Sequence, residues 1–474
     1  MTLSKVIHFA LGPLSSALIS LILIPAMAWM YSVEDIGRYG LLQVIVSLLA
    51  MVMTLGLDQA YVREYHEANN RKALIIECLF PGMILLFLTA ALAWYFQYIE
   101  LLTTSLFEYE SRSLSYLVVV CALLMYISRF LGLILRMQER GLAYSFSQLL
   151  PKLAFLLMLI IIFNFREEPD FIDLVICFSL SVALVTIILA INVRDEFKKI
   201  CALIVNLSHL KYMLGYSVPL LISNVFFWAL ISIDKIFIQR LSNLEEVGLY
   251  SMAANFAGAA LILQLVFSTI WAPVVYRWAS EGVDTGKLDK VIRYVALVVC
   301  FVWVGVGLLS PLVTYALPAT YSNVQYLIMA VISHPLLYLL SEASSVGIGI
   351  TRKSYMALWT SIFALIVNAA FNWLLVPIYG AAGAGSALAI SFLVYFIMKT
   401  ELSRYVFGGI SMVKVYILVT ALVSFAVYVN IVSSSGEGSS YVYLCAFFIL
   451  YFLFRRDLRS LFDDLSFLIR RKYN

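Results

Sequence analysis

Charge is what this 474-residue sequence has least of. Asp, Glu, Lys and Arg make up 13% of it and hydrophobic residues 63%, where soluble chains carry about 25% charged and about 45–50% apolar residues. A soluble fold of this length could not hide so much apolar side chain, whereas a bilayer needs no polar cover on the lipid-facing surface. The soluble class is excluded. Histidine is scarce, with four residues, and the six cysteines (Cys78, Cys121, Cys177, Cys201, Cys300, Cys445) show no CxxC and no metal-ligand spacing. They read as small structural hydrophobes, so neither a metal nor another cofactor is expected. There is no Walker A motif, which excludes an ATPase within the chain, and no spaced carboxylate pair with a soluble cleft for a glycosyltransferase. The net charge of +4 is too small to imply a nucleic-acid partner.

What is abundant is apolar runs. A spanning helix needs about 20 mostly apolar residues, and runs of that kind lie at 9–31, 40–62, 74–97, 114–135, 146–165, 171–192, 213–238, 249–276, 294–315, 323–346, 356–377, 381–398, 414–433 and 441–454. Val376-Pro377-Ile378-Tyr379-Gly380 punctuates the two closest runs with Pro and Gly. The first run is followed into Ala26-Met27-Ala28, which has the look of a signal-peptidase site. It exceeds the roughly 7–15 residues of a signal core, so it is expected to be an uncleaved first span. The fold class is therefore an all-α integral membrane protein with 14 transmembrane helices.

Lys and Arg stay in cytoplasmic loops. With the N-terminus inside, twenty-five of the 32 fall on the cytoplasmic side, Lys399 counted among its loop charges, and four (Arg38, Arg112, Arg166, Arg240) fall outside. The remaining three, Arg129, Lys152 and Lys235, lie within spans. Both termini are expected in the cytoplasm. The outer loops are short and acidic, so function has to reside in the helices.

The sequence also repeats itself. Ser32-Val33-Glu34-Asp35-Ile36-Gly37-Arg38-Tyr39 resembles Asn243-Leu244-Glu245-Glu246-Val247-Gly248-Leu249-Tyr250 at an offset of 211, and Ala143-Tyr144 matches Ser354-Tyr355 at the same offset. Spans 1–6 and 7–12 read as duplicated halves, parallel repeats that place a site at their interface. The expected organisation is an N-terminal bundle with its linker (1–212), a C-terminal bundle (213–400), two extra helices (401–454) and a basic amphipathic cytoplasmic tail (455–474) on anionic lipid.

Several motifs resemble one family. Glu34-Asp35-Ile36-Gly37-Arg38-Tyr39-Gly40 is similar to a signature of polysaccharide exporters, as is Leu55-Gly56-Leu57 with Tyr61-Val62-Arg63-Glu64-Tyr65. Gly347-Ile348-Gly349, Arg352-Lys353, Asn368, Asn372 and the stretch from Val376 to Ala387 resemble the lipid-linked oligosaccharide flippases of the multidrug/oligosaccharidyl-lipid/polysaccharide exporter superfamily. The resemblance implies two six-helix bundles around a central cavity, alternating access, and an undecaprenyl-pyrophosphate oligosaccharide as cargo, of the O-antigen or enterobacterial repeat-unit kind. The expected location is the bacterial inner membrane. Expected partners are the lipid-linked oligosaccharide, membrane lipids, and the polysaccharide polymerase and chain-length machinery.

A pyrophosphate cargo needs compensating cations, and charges within a bilayer usually face a cavity. The substrate-binding candidates are Arg129, Lys152 and Lys235; the alternative for the first two is snorkelling to headgroups, and for Lys235 an interfacial pair with Asp234. Gate or coupling candidates are Asp58 and Arg63 at the inner end of span 2, Asp234, Glu342, and His334, whose type titrates near neutral pH but which sits beside Pro335 as a packing residue would. Asn224, Asn255, Gln264, Asn368 and Asn372 are equally readable as sugar contacts or as interhelical hydrogen bonds. The function expected is flipping of undecaprenyl-pyrophosphate-linked repeat units to the outer leaflet, coupled to an ion gradient. The protein is not expected to be an enzyme. The rivals are a cation-coupled multidrug exporter of the same fold, disfavoured by the positive interior, and a membrane polymerase or ligase, disfavoured by the short outer loops.

Overall fold

In a computed structural model, the described residues are 3–433 apart from 69, 96–98, 198–205, 282–284, 352, 354 and 409–411. Every regular element among them is a helix. Two compact units divide the chain, residues 1–239 and 240–474.

The first unit holds α1 (Leu3–Met30), α2 (Val33–Met53), α3 (Leu57–Glu64), α4 (Arg71–Tyr95), α5 (Ile99–Phe107) and α6 (Arg112–Met137). It continues with α7 (Gly141–Phe165), α8 (Phe171–Phe197) and α9 (Leu207–Leu241), whose last two residues pass into the second unit. The second unit holds α10 (Leu244–Ala257), α11 (Leu261–Glu281), α12 (Thr285–Leu309), α13 (Val313–Ala316) and α14 (Val324–Val331). It ends in α15 (Ser333–Ser344), α16 (Val346–Ile350), α17 (Tyr355–Phe407) and α18 (Val413–Ser433).

Among the described residues, twelve helical stretches are long and apolar enough to cross a membrane, and the protein is a multi-pass membrane protein. Two expected spans share α17. Its 53 residues would reach about 80 Å at about 1.5 Å per residue, far beyond a hydrocarbon core of about 30 Å. Gly380, at φ 54° and ψ −128°, breaks it. The Glu246 carboxylate accepts the following Ala381 N–H at 2.7 Å, and a Cβ on Gly380 would stand 2.6 Å from Glu246 Oε2. The expected run at 441–454 and the basic tail lie outside the described residues.

In three places the helices differ from the expected runs in a way that moves a candidate residue or a span's start. The run at 40–62 breaks at Leu55-Gly56, with φ 48° and 72°, so Asp58 and Arg63 lie on the separate helix α3. The run at 323–346 divides into α14 and α15. Pro335 therefore stands in the first turn of α15, where a missing N–H costs little, rather than in mid-helix. The seventh span begins at Leu207, because Asn206 Oδ1 accepts the N–H groups of Ser208 and His209 and caps the helix there.

The repeated motif folds alike in both units. Ser32 caps α2 by accepting the Asp35 N–H at 3.1 Å. Asn243 caps α10 by accepting the Glu246 N–H at 2.9 Å. In each, acidic residues occupy the first helical turn, where the helix dipole favours them.

The buried seams match as well. In the first unit, Cys121 meets Ser179 at 2.9 Å and Ser128 meets Thr186 at 2.6 Å. One constant spacing joins these partners, so α6 and α8 run parallel. In the second unit, Ser344 meets Thr400 at 2.6 Å, and the Gly347 N–H donates to Ser403 Oγ at 2.9 Å. Again the spacing is constant, and the α15–α16 segment runs parallel to the end of α17.

Candidate functional site

The Leu55-Gly56 turn starts a new helix, and this sets Asp58 in the first turn of α3. Arg129 of α6 donates to Asp58 Oδ2 from Nε at 3.0 Å and from Nη2 at 2.6 Å. The two members differ in exposure: the Asp58 side chain is 4% exposed and that of Arg129 45%. A buried carboxylate is tolerable when it is paired and hydrogen-bonded, and here it fixes the guanidinium. Two of five donors are used on Asp58, and the others remain available to an anion. Arg63, exposed on α3, lies over the Tyr216 ring of α9 at 4.4 Å.

Lys152 of α7 belongs to another partner. Its Nζ donates to Ser16 O at 3.2 Å and to Ser20 Oγ, both on α1. Arg129 and Lys152 are thus held by different helices, α3 and α1.

Lys235 lies on α9, which is laid antiparallel along α2. Ser217 Oγ donates to Leu55 O at 2.9 Å, Trp228 Nε1 to Ser47 Oγ at 3.2 Å, and Lys235 Nζ reaches Gly40 O at 3.5 Å. From Gly40 to Met53 the helix rises about 20 Å. Lys235 therefore lies against the N-terminal half of α2, two turns from its start, and the Asp58–Arg129 pair lies beyond its C-terminal end. Asp234 beside Lys235 is fully buried.

In the second unit, His334 packs against the Phe392 ring at 4.6 Å, with no carboxylate partner among the described residues. Glu342 is bound to a residue that sequence reasoning misplaced. Lys399 is not a loop charge but a buried residue of α17. Its Nζ donates to Glu342 Oε1 at 3.0 Å and lies 5.1 and 5.2 Å from the centroids of Tyr338 and Tyr395, a cation–π enclosure. One signal was present: no Gly or Pro interrupts the chain between Gly385 and Gly408, so the helix could run past Lys399.

Glu342 and Lys399 line a cavity of about 190 Å³, together with Ser268, Trp271, Val275, Ser345, Val346, Ile348 and Gly349. Neither Ser268 nor Trp271 was singled out in the sequence. Asn368 and Asn372 are fully buried. Asn372 Nδ2 donates to Asn368 Oδ1 at 3.0 Å, and Asn368 Nδ2 to Ser391 Oγ at 3.3 Å. They join the two halves of α17.

Comparison with solved structures finds the same fold. The chain is similar to a structure described as lipid II flippase MurJ in an inward closed conformation, at 11% identity, with a TM-score of 0.71 and 98% of this chain and 100% of that one covered. It is also similar to an inward-facing multidrug resistance MATE family transporter of the MOP superfamily (15% identity, TM-score 0.55, 88% and 95% covered). A third is a MOP superfamily transporter from Pyrococcus furiosus (14% identity, TM-score 0.52, 88% and 96% covered). No curated protein matches the sequence. Residues 2–279, more than half of the chain, match the family described as polysaccharide biosynthesis protein, and to that family this chain belongs.

Proposed function

We propose that this protein moves a polyprenyl-pyrophosphate-linked oligosaccharide from the cytoplasmic to the outer leaflet of a bacterial inner membrane by alternating access, drawing on an ion gradient, with both termini cytoplasmic. The observation that carries the reading is the Asp58–Arg129 pair. A guanidinium gripped along one edge, its Nε and Nη2 both donating to Oδ2 of a buried carboxylate, keeps spare donors on an open flank and suits a two-point hydrogen bond to a phosphate oxyanion. Lys152 and Lys235 add cations at other stations of the same unit, and Arg63, Asp234 and Glu342 serve as contacts that change as the protein opens and closes. His334, enclosed against Phe392, belongs to packing rather than coupling. Membership of a polysaccharide biosynthesis family and the shared fold with transporters support the same reading. The MurJ structure carries the name of a lipid II flippase, whose named cargo is also a lipid.

The test is genetic and biochemical. Deleting the gene is expected to strand lipid-linked repeat units on the cytoplasmic face and to remove surface polysaccharide. Restoring the wild-type gene reverses this, Arg129→Ala does not at equal expression, and Arg129→Lys does so in part. Undiminished surface polysaccharide with Arg129→Ala would overturn the role of this pair. Efflux of organic cations without any change in polysaccharide would overturn the cargo.

A further inference from the structure

We infer that the cavity beside Glu342 and Lys399 is a subsite for one neutral sugar ring. Its distinguishing feature is unmet hydrogen-bonding capacity. Trp271 is only 7% exposed, yet its Nε1, like the Ser268 Oγ, is buried without a partner. A buried N–H that finds no acceptor is costly, so these two groups await one. Both line the cavity, opposite no net charge: Glu342 and Lys399 neutralise each other at 3.0 Å.

The chemistry selects the occupant. A phosphate would meet a carboxylate and a lysine already neutralised by it. An organic cation would find the Glu342 carboxylate already neutralised by Lys399 and no other net negative charge among the described residues lining the cavity. A sugar hydroxyl is both donor and acceptor, so it can serve Glu342 with its proton while accepting from Trp271 and Ser268. The indole is a flat apolar wall for the C–H face of a ring. It is held in place by stacking on Phe267 at 5.4 Å and an edge contact with Trp278 at 5.9 Å. At about 190 Å³ the cavity is smaller than the roughly 300–1,000 Å³ of drug-sized sites, which fits a single ring and not an oligosaccharide. The inference rests on the cargo reading above only for the source of the sugar.

Saturation-transfer NMR on the purified full-length protein in nanodiscs tests it with methyl glycosides of glucose, galactose and N-acetylglucosamine, against inorganic phosphate and tetraphenylphosphonium. At least one glycoside is expected to show saturable transfer. Trp271→Phe keeps the ring and removes the N–H, and should weaken that binding about tenfold, the value of one hydrogen bond. Ser268→Ala should weaken it less, and Trp359→Phe, at an exposed position, not at all. Melting curves matched to wild type establish that the variants fold. Absent transfer from all three glycosides, transfer indifferent to Trp271→Phe and Ser268→Ala, or equal competition by phosphate or the phosphonium ion would overturn the subsite. Free glycosides carry no polyprenyl pyrophosphate, so the result stands whether or not Arg129→Ala abolishes transport.

Discussion

The two units carry ion pairs that are inversions of one another. In the first, the carboxylate is buried and the cation open, with Asp58 4% and Arg129 45% exposed. In the second, the cation is buried and the carboxylate more open, with Lys399 8% and Glu342 29% exposed. The open member decides what a pair can offer a ligand, and the buried member decides what the fold loses when its partner goes. One pair thus presents positive charge, as an anionic lipid headgroup requires. The other presents an acceptor beside aromatic rings, as a hydroxylated ligand requires.

Deleting the open member is accordingly expected to hurt most. Glu342→Leu strands the buried Lys399 ammonium and should cost about 3–5 kcal/mol, read as a lower melting temperature in detergent. The double variant Glu342→Leu, Lys399→Met should recover most of that loss, because it leaves no uncompensated charge. If the double variant melts as low as the single one, the stranded charge is not the cause. Lys399→Met alone leaves the more open Glu342 and should cost less than Glu342→Leu. Across the molecule the order of cation and anion reverses. Arg129→Ala strands Asp58 and should cost about 2 kcal/mol, a discounted value because α3's N-terminal N–H groups still favour the carboxylate. Asp58→Asn leaves an arginine that is already half in the open, at about 1 kcal/mol or less. Equal losses from Arg129→Ala and Asp58→Asn would break the proposed inversion.

The membrane class was legible from composition, and the likeness of two helix starts from motifs 211 residues apart, whose caps at Ser32 and Asn243 match. Helix breaks were legible only where Pro and Gly flagged them. Val376-Pro377 to Gly380 announced a boundary, and the chain turns at Gly380. The break at Leu55-Gly56 was hidden inside an apolar run, because a single Gly without a Pro is common within spans and the left-handed backbone at Leu55 has no sequence signal. Charge pairing was less legible still. Asp58 and Arg129 were each marked, but their 71-residue separation has no local period to link them. Lys399 was misplaced because a lone lysine near the end of an apolar run reads as a loop charge, and only the two tyrosines and Glu342 around it make burial tolerable.

Glycines separate the seams next. A Cβ at Gly347 would stand 2.5 Å from Phe407 Cβ and 2.7 Å from Ser403 O, whereas one at Gly132 in α6 meets nothing within 4 Å. Gly347→Ala is therefore expected to cost about 1–3 kcal/mol by forcing α16 off α17. Gly132→Ala should be neutral or stabilising by up to about 1 kcal/mol, the helix propensity difference. Parallel melting curves decide it, and a Gly347→Ala protein as stable as wild type would mean that the close approach is not tight.

The smallest effects belong to the hydroxyl contacts that both seams share. Ser128 with Thr186 and Ser344 with Thr400 are each 2.6 Å apart. Interhelical hydrogen bonds in membranes average only about 0.6 kcal/mol, because the separated helices find other partners. Ser128→Ala and Ser344→Ala should each cost about that much. Their surroundings differ, however: Ser344 is buried, its hydroxyl donating also to its own helix at Leu340 O, while Ser128 is partly exposed. Losing Ser344 strands the Thr400 hydroxyl, 1% exposed, whereas Thr186 keeps its bond to Val182 O at 2.7 Å. Ser344→Ala should therefore be the costlier of the two, and a double-mutant cycle with Thr400→Val should return a larger coupling than Ser128→Ala with Thr186→Val. Equal couplings would mean that hydrogen-bond length alone, and not what is left unpaired, sets the strength of each seam.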